Sequence, residues 1–338
     1  MSAMVIVRLP NWLGDTVMAV PAIRTLRNGL GDARIAVAGP WAPLLAGQGL
    51  ADVLVSYPRA LGGRLRSADA VRDLGPTVAL VLPNSLESAL AAWYWGARRR
   101  IGFRGGGRTW LLTDPVPVPS PRRHQVDEYL LVIERLGLVP VTREPTLTVP
   151  APDAAERGTV RGLLREAGVD GDRASGRAPR IGVHLGAAFG PSKLWPLERV
   201  VDFCRFVAKQ GGVPILLGAA DARAVGAAIQ EAAPALSLVG RDSPTLLPSV
   251  LTEMHGIVCG DTGIAHLAAA LGTPVVTLFG PTDPGLTAPR GRQVEVLTHA
   301  TPCAPCFYRT CPIDHPCLRS ITAEEVGARL ERLLDQWP

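Results

Sequence analysis

Short apolar runs alternate with longer amphipathic stretches along most of this chain. Val5 to Val7, Arg34 to Ala38, Val53 to Val55 and Val78 to Leu82 are brief, rich in β-branched residues and bounded by turn formers. They predict strands, with Arg100 to Phe103 as a further short one. Between them, Thr16 to Arg27, Leu86 to Trp95 and His124 to Leu136 repeat apolar residues at helical spacing. Pro21 inside the first predicts a kink, or a second helical segment starting near the proline. Arg59 to Arg66, basic and bearing two glycines, reads as a mobile loop. Strands that alternate with helices and are apolar throughout predict a parallel sheet covered on both faces.

The rhythm is interrupted between 140 and 180. Pro140 to Pro152 is proline-rich, 154–167 is helical, and 168–179 is glycine-rich and charged. It then restarts. Ile181 to His184, Val213 to Leu217 and Leu236 to Val239 read as strands, and Pro196 to Lys209 as a helix. The chain closes with a helix from Thr322 to Trp337. Thr322 and Glu325 form a capping box there, and Val326, Leu330, Leu333 and Leu334 share one stripe. Two tandem α/β halves follow from this pattern, which a length of 338 residues also favours. The expected division is 1–165, a linker at 166–180, 181–321, and the helix at 322–338.

The most regular unit is Ile257 to Phe279. A buried strand runs into Gly260, Asp261, Thr262 and Gly263, then a helix with His266 in its first turn, then the strand Val275 to Phe279 and a second polar loop, Gly280 to Pro284. As structure alone, Asp261 and Thr262 cap a helix. As chemistry, a polar turn at the carboxyl end of a parallel strand is where open α/β sheets bind ligands. The loop from His184 to Pro196 adds Gly186, Ala187 and Ala188, whose backbone N–H groups suit a diphosphate, and Lys193 just before a helix. P-loop and dinucleotide glycine spacings are absent. Asp15, in the turn after the first strand, is by position a first-turn or capping acid; a general base would occupy the same place. Cys303, Cys306, Cys311 and Cys317, with His315 nearby, begin with a CxxC half-site. Structural zinc, a redox pair and reduced thiols all remain open for them.

Composition narrows the class. The chain is 47% hydrophobic and 19% charged, as a packed globular protein is. It has no apolar run long enough to cross a bilayer and no signal-peptide pattern, so a cytoplasmic protein with reduced cysteines is expected. Residues 1–170 hold 20 Arg against 15 Asp and Glu, whereas 171–338 balance at 15 and 15, so the whole excess of +5 lies in the first half. Arg59, Arg64, Arg66, Arg98, Arg99, Arg100, Arg104, Arg108, Arg122 and Arg123 supply much of it. They are a solvated surface or a face for an anionic partner. Nucleic acid is not expected, because aromatic residues make up 5% and none interleave with the basic clusters.

Three segments together resemble the bacterial lipopolysaccharide heptosyltransferases of glycosyltransferase family 9. They are Gly14-Asp15 followed by Pro21 to Arg27, the loop Gly186 to Trp195, and Gly260 to Pro284 with its Asp, Thr, Gly, His and Gly-Pro. The Phe189 to Pro196 loop and the Cys311 to Cys317 tail are most similar to the type II branch. The resemblance implies a GT-B fold of two Rossmann-like domains facing a cleft, with the C-terminal helix packing back on the first. It implies an ADP-heptose donor, a heptosyl-Kdo-lipid A acceptor and inversion at the anomeric carbon, by a cytoplasmic enzyme held at the anionic inner-membrane surface. Other members, acting on another acceptor or donor, and a silent nucleotide-sugar-binding protein are the alternatives. Under the resemblance Asp15 is the base. Lys193, Gly186, Ala187, Ala188, Thr262 and Gly263 hold the diphosphate, Asp261 and His266 the heptose or its phosphate, and Asp221 the ribose. Arg59, Arg64, Arg66, Arg122 and Arg123 take the acceptor's carboxylates and phosphates. No cofactor is required in this scheme. Ala187 and Ala188 lack the hydroxyls that some members carry, so phosphate contact there rests on backbone N–H groups.

Overall fold

The computed structural model describes residues 3–58, 61–149, 154–169, 178–241 and 245–335. Contacts divide the chain into two units, Met1–Pro145 and Thr146–Pro338. In chain order the first contains β1 (Met4–Arg8), α1 (Leu13–Met18), α2 (Val20–Gly29), β2 (Arg34–Gly39), β3 (Val53–Ser56), α3 (Leu61–Asp73), β4 (Val78–Val81), α4 (Leu86–Tyr94), β5 (Arg99–Phe103), β6 (Asp114–Val116) and α5 (Gln125–Glu134). Its sheet has the order β3-β2-β1-β4-β5-β6, with parallel pairing throughout. Every residue of β1 is buried, as expected of a central strand covered on both faces.

The second unit contains α6 (Ala154–Glu166), β7 (Arg180–His184), α7 (Leu197–Lys209), β8 (Val213–Leu217), α8 (Arg223–Ala232), β9 (Leu236–Ser237), α9 (Leu247–Thr252), β10 (Gly256–Gly260), α10 (Gly263–Ala270), β11 (Val275–Phe279), α11 (Pro284–Thr287), β12 (Val294–Thr298), α12 (Pro316–Arg319) and α13 (Ala323–Asp335). Its sheet, β12-β11-β10-β7-β8-β9, is again parallel. Each sheet therefore has Rossmann-like order, and strand order reverses once in each: between β1 and β4, and between β7 and β10. The crevice outside the carboxyl ends of the strands at such a reversal is where these sheets bind ligands.

Pro21 lies at the start of α2, so the predicted helical stretch is two helices joined at Ala19. The capping box forms as expected. Thr322 N donates to Glu325 Oε2 at 3.0 Å, and Glu325 N to Thr322 Oγ1 at 3.3 Å.

Other expectations change. The basic stretch read as a mobile loop is helical from Leu61, because Ala68 and Val71 of α3 are buried in the core over the first sheet. Arg59 lies outside the described residues. The short strands β6 and β12, and the helices α8 and α9, were not predicted. The division falls at Pro145 rather than in 166–180, since α6 packs on α9; 170–177 lie outside the described residues. The closing helix α13, expected on the first domain, packs on α7, β10, β11 and β12. Val326, Leu330 and Leu333 there complete the second unit's own core.

Candidate active site

β7 ends at His184, and the chain then crosses the carboxyl edge of the second sheet. His184 Nδ1 accepts from Gly186 N at 3.4 Å, which holds the first turn of the loop. Burial pushes the His184 imidazole down to about 4, opposed by the nearby Asp221 carboxylate. It is therefore neutral at ordinary pH and can act as that acceptor. Asp221, exposed on the turn after β8, is thus brought to the same edge as the loop.

Gly190 is required twice over. Its φ is 151°, and a Cβ there would overlap the Arg309 carbonyl. That carbonyl also accepts from Ser192 N at 3.1 Å, and Ser192 Oγ donates to Tyr308 O at 2.5 Å. The cysteine-bearing tail thereby clamps the loop, and a 3-10 turn, Pro191–Lys193, delivers the lysine. A Cβ on Gly260 would overlap the Lys193 carbonyl, so glycine lets the loop lie on the end of β10.

Lys193 and Asp261 meet here. Nζ is 2.5 Å from Asp261 Oδ2, and Thr282 Oγ1 donates to the same oxygen at 2.7 Å. The side chains of Lys193 and Asp261 are 12% and 6% exposed, so this is a desolvated ion pair with a third polar partner. Nζ also lies 4.8 Å from the centre of the Phe189 ring, a cation–π distance, and the Arg309 guanidinium is 5.6 Å from that ring. One of the three ammonium N–H bonds is taken up by Asp261. The others suit the oxygens of a diphosphate.

Thr262 is the N-cap of α10 but makes no side-chain cap bond. Among the described residues its hydroxyl oxygen is buried without a hydrogen-bond partner, and burial pushes the neighbouring Cys259 thiol up to about 12. The cap reading is therefore replaced: Asp261 faces Lys193, and the Thr262 hydroxyl makes no cap bond. Gly263 opens the helix with its backbone half-exposed, and His266 is 5% exposed. Gly186, Lys193, Trp195, Gly260, His315 and Arg319 line a cavity of about 340 Å³ at this edge.

The four tail cysteines do not make a zinc centre. Among the described residues no group of three or more His, Cys, Asp or Glu side chains is placed to hold a metal ion. Cys317 is buried against Gly280, with its thiol pushed up by burial, while Cys303 is exposed. The tail instead folds over β11's end, where Phe307 N donates to Pro281 O at 2.8 Å.

On the first unit, Asp15 lies in the first turn of α1 beyond the end of β1, with Trp12 as the N-cap. Tyr129 Oη of α5 donates to Asp15 Oδ1 at 3.2 Å, and burial raises the Tyr129 phenol well above its ordinary value. Of the candidate acceptor arginines, Arg122 is held in a two-bond pair with Glu128 at 2.6 and 2.7 Å. Arg64 Nε donates to Pro58 O, and Arg66 and Arg123 are exposed. Arg108, counted with the basic surface, is buried; it donates to Phe103 O, Asn84 Oδ1 and Ser88 Oγ, and burial lowers it to about 10. Tyr129, Thr282 and His184 carried no signal as site residues. Each acts through a contact between segments far apart in sequence, or within a turn whose shape is not local.

Residues 64–316 match the family model of glycosyltransferase family 9 (heptosyltransferase). Lipooligosaccharide heptosyltransferase 2 of Haemophilus influenzae is 29% identical over 307 residues, covering 85% of this chain and 86% of the relative. Lipopolysaccharide heptosyltransferase 2 of Escherichia coli is 27% identical over 346 residues, covering 97% of each. The solved structure of E. coli ADP-heptose lps heptosyltransferase II superposes with a TM-score of 0.81 over 99% of both chains, at 27% identity. With the family model spanning most of its length and a GT-B relative matching it from end to end, this chain belongs to glycosyltransferase family 9, the heptosyltransferases, and is a glycosyltransferase.

Proposed function

We propose that this enzyme moves heptose from ADP-L-glycero-D-manno-heptose to the heptosyl-Kdo-lipid A inner core of lipopolysaccharide, with inversion at the anomeric carbon. The observation that carries this reading is the buried Lys193–Asp261–Thr282 cluster at the carboxyl end of β10, beside a glycine loop, in a chain that matches type 2 heptosyltransferases over most of its length. Asp15 takes the proton of the acceptor hydroxyl. That oxygen forms a bond to the anomeric carbon as the bond to the β-phosphate oxygen breaks, and the electron pair leaves with ADP. Lys193, the N–H groups at Gly186, Ala187 and Ala188, and the start of α10 at Thr262 and Gly263 stabilise the charge on the departing diphosphate. Asp261 holds Lys193 and, with His266, orients the heptose; Asp221 holds the ribose. Neither the proton transfer nor the leaving-group stabilisation needs a metal in this scheme.

Tyr129 keeps the Asp15 carboxylate in one orientation, so its lone pairs face one direction. Arg64, Arg66 and Arg123 meet the acceptor's carboxylates and phosphates, and Arg59 belongs to the same basic segment. Arg122 contributes by fixing the start of α5 through Glu128. The acceptor is lipid-linked, so the enzyme works in the cytoplasm at the anionic inner-membrane surface. No helix among the described residues is long and apolar enough to cross a membrane.

Asp15→Asn tests the assignment of the base. Transfer is expected to fall by about 10²-fold or more, in the range of lost general-base catalysis, while ADP affinity by calorimetry is unchanged. An unchanged transfer rate would remove Asp15 from the chemistry.

A further inference from the structure

α4 is apolar on two sides. Ala89 and Ala92 face inward and belong to the core over the first sheet. Leu86, Leu90 and Trp93 follow one another at i, i+4 and i+7, on a single outer face, and are 48%, 47% and 55% exposed. Trp110, on the 3-10 turn Thr109–Leu111 that packs on α4, is 75% exposed. Leu65 of the neighbouring α3 is 61% exposed. Scattered exposed apolar residues are ordinary on a soluble protein, but a cluster with two tryptophans marks an interaction surface.

The cluster is held firmly. Ser85 caps α4 by accepting from Ser88 N at 3.2 Å, and the buried Arg108 ties the preceding loop to β5 and α4. The Trp110 indole N–H donates to Gly107 O at 2.9 Å, which fixes the ring while leaving its face open. The surroundings are basic. Residues 61–112 contain eight arginines against three carboxylates. Arg66, Arg72, Arg98 and Arg104 are exposed, whereas two of the three carboxylates are engaged: Asp69 accepts from Tyr94 Oη at 2.5 Å, and Glu87 lies 3.8 Å from Arg8.

We propose that the outer face of α4, with Trp110, is the surface by which this protein docks on an anionic lipid bilayer. Leu86, Leu90, Trp93 and Trp110 enter the boundary between headgroups and acyl chains, where indole rings are favoured, and Arg98 and Arg104 meet the lipid phosphates. The charge decides between occupants, because a second copy would bring the exposed, like-charged Arg98 and Arg104 of the two chains toward one another. Area points the same way. The exposed part of these side chains is on the order of a few hundred Å², short of the ~800 Å² that each partner of a stable dimer buries. The biological reason for such docking rests on the proposed lipid-linked acceptor, but the docking itself is measured without it.

The test is co-sedimentation of the full chain with vesicles of phosphatidylcholine alone and of phosphatidylcholine with phosphatidylglycerol. Binding is expected to the anionic vesicles only and to weaken in high salt. Leu90→Gln with Trp93→Gln should lower the partition by about tenfold or more, and Arg98→Ser with Arg104→Ser should remove the preference for anionic lipid. All four sites are exposed, so folding is retained and is checked by the thermal transition. No binding by the parent chain, or equal binding by the Leu90 and Trp93 variant, overturns the proposal. So does a dimeric parent that becomes monomeric with those substitutions, since self-association would then occupy the face. Transfer to a water-soluble acceptor stripped of its acyl chains is read in parallel and should not change in the variants. Its absence in every protein would count against the proposed activity and leave the vesicle result standing.

Discussion

Lys193 is one of two lysines among 35 basic residues, and it is held by two acceptor-side partners rather than by solvent. A buried ammonium beside a carboxylate that also accepts from Thr282 is a fixed charge, so under the proposed reaction little reorganisation would accompany charge development on a leaving diphosphate. Lys193→Met is expected to lower transfer by about 10²–10³-fold and also to destabilise the fold, because Asp261 is left buried without its cation. Adding Asp261→Asn should restore much of the stability, read by denaturant unfolding, but not the transfer rate. His184 gives a pH signature. Its folded value of about 4 lies below the ordinary 6.5, so between these values the unfolded chain binds the proton first. Stability is therefore flat above about 6.5 and falls as pH drops toward about 4, by up to roughly 3 kcal/mol. His184→Gln should flatten that slope in unfolding curves recorded across the window.

Elements were legible in sequence where a single pattern determined them. β10, α10 and β11 came from an apolar run, a polar turn and a glycine stop, and the Thr322–Glu325 box located the start of α13. α3 was missed because its glycines and arginines outweigh the two buried positions, Ala68 and Val71, that hold it to the sheet. β6 and β12 lie at the sheet edges, where a strand needs only one apolar face and its residues read as loop. The site was legible as parts: Lys193 from its rarity and its glycine loop, Asp261 from the turn. That they pair, and that Thr282 completes them, depends on β11 lying beside β10, which local sequence does not encode. The placement of α13 has its own test. A Cβ on Gly327 would overlap the Phe206 ring of α7, which is stacked on Phe203 with ring centres 6.4 Å apart. Gly327→Ala is expected to cost about 1–3 kcal/mol by overpacking, despite alanine's better helix propensity, and chemical denaturation reads it directly.

At the scale of the whole molecule, sequence charge and structural charge differ. The excess of +5 sits in the first half, yet several arginines counted there are committed within the fold: Arg108 is buried, and the partly exposed Arg99 and Arg122 pair with Asp114 and Glu128. Among the exposed ones, Arg66 and Arg72 lie on α3, Arg98 after α4 and Arg104 after β5, in the part of the first unit that also carries Trp93 and Trp110. Residues 171–338, with 15 basic and 15 acidic residues, hold the glycine loop and the Lys193 cluster. The proposed function assigns a lipid-linked acceptor to the first unit and a soluble nucleotide sugar to the second. The most direct measurement is the mass of the acceptor after incubation with ADP-heptose, using Kdo-lipid A with and without its first heptose. The account predicts a gain of one heptose on the already heptosylated acceptor alone; no gain on either acceptor, or a gain only on the one lacking heptose, would contradict it.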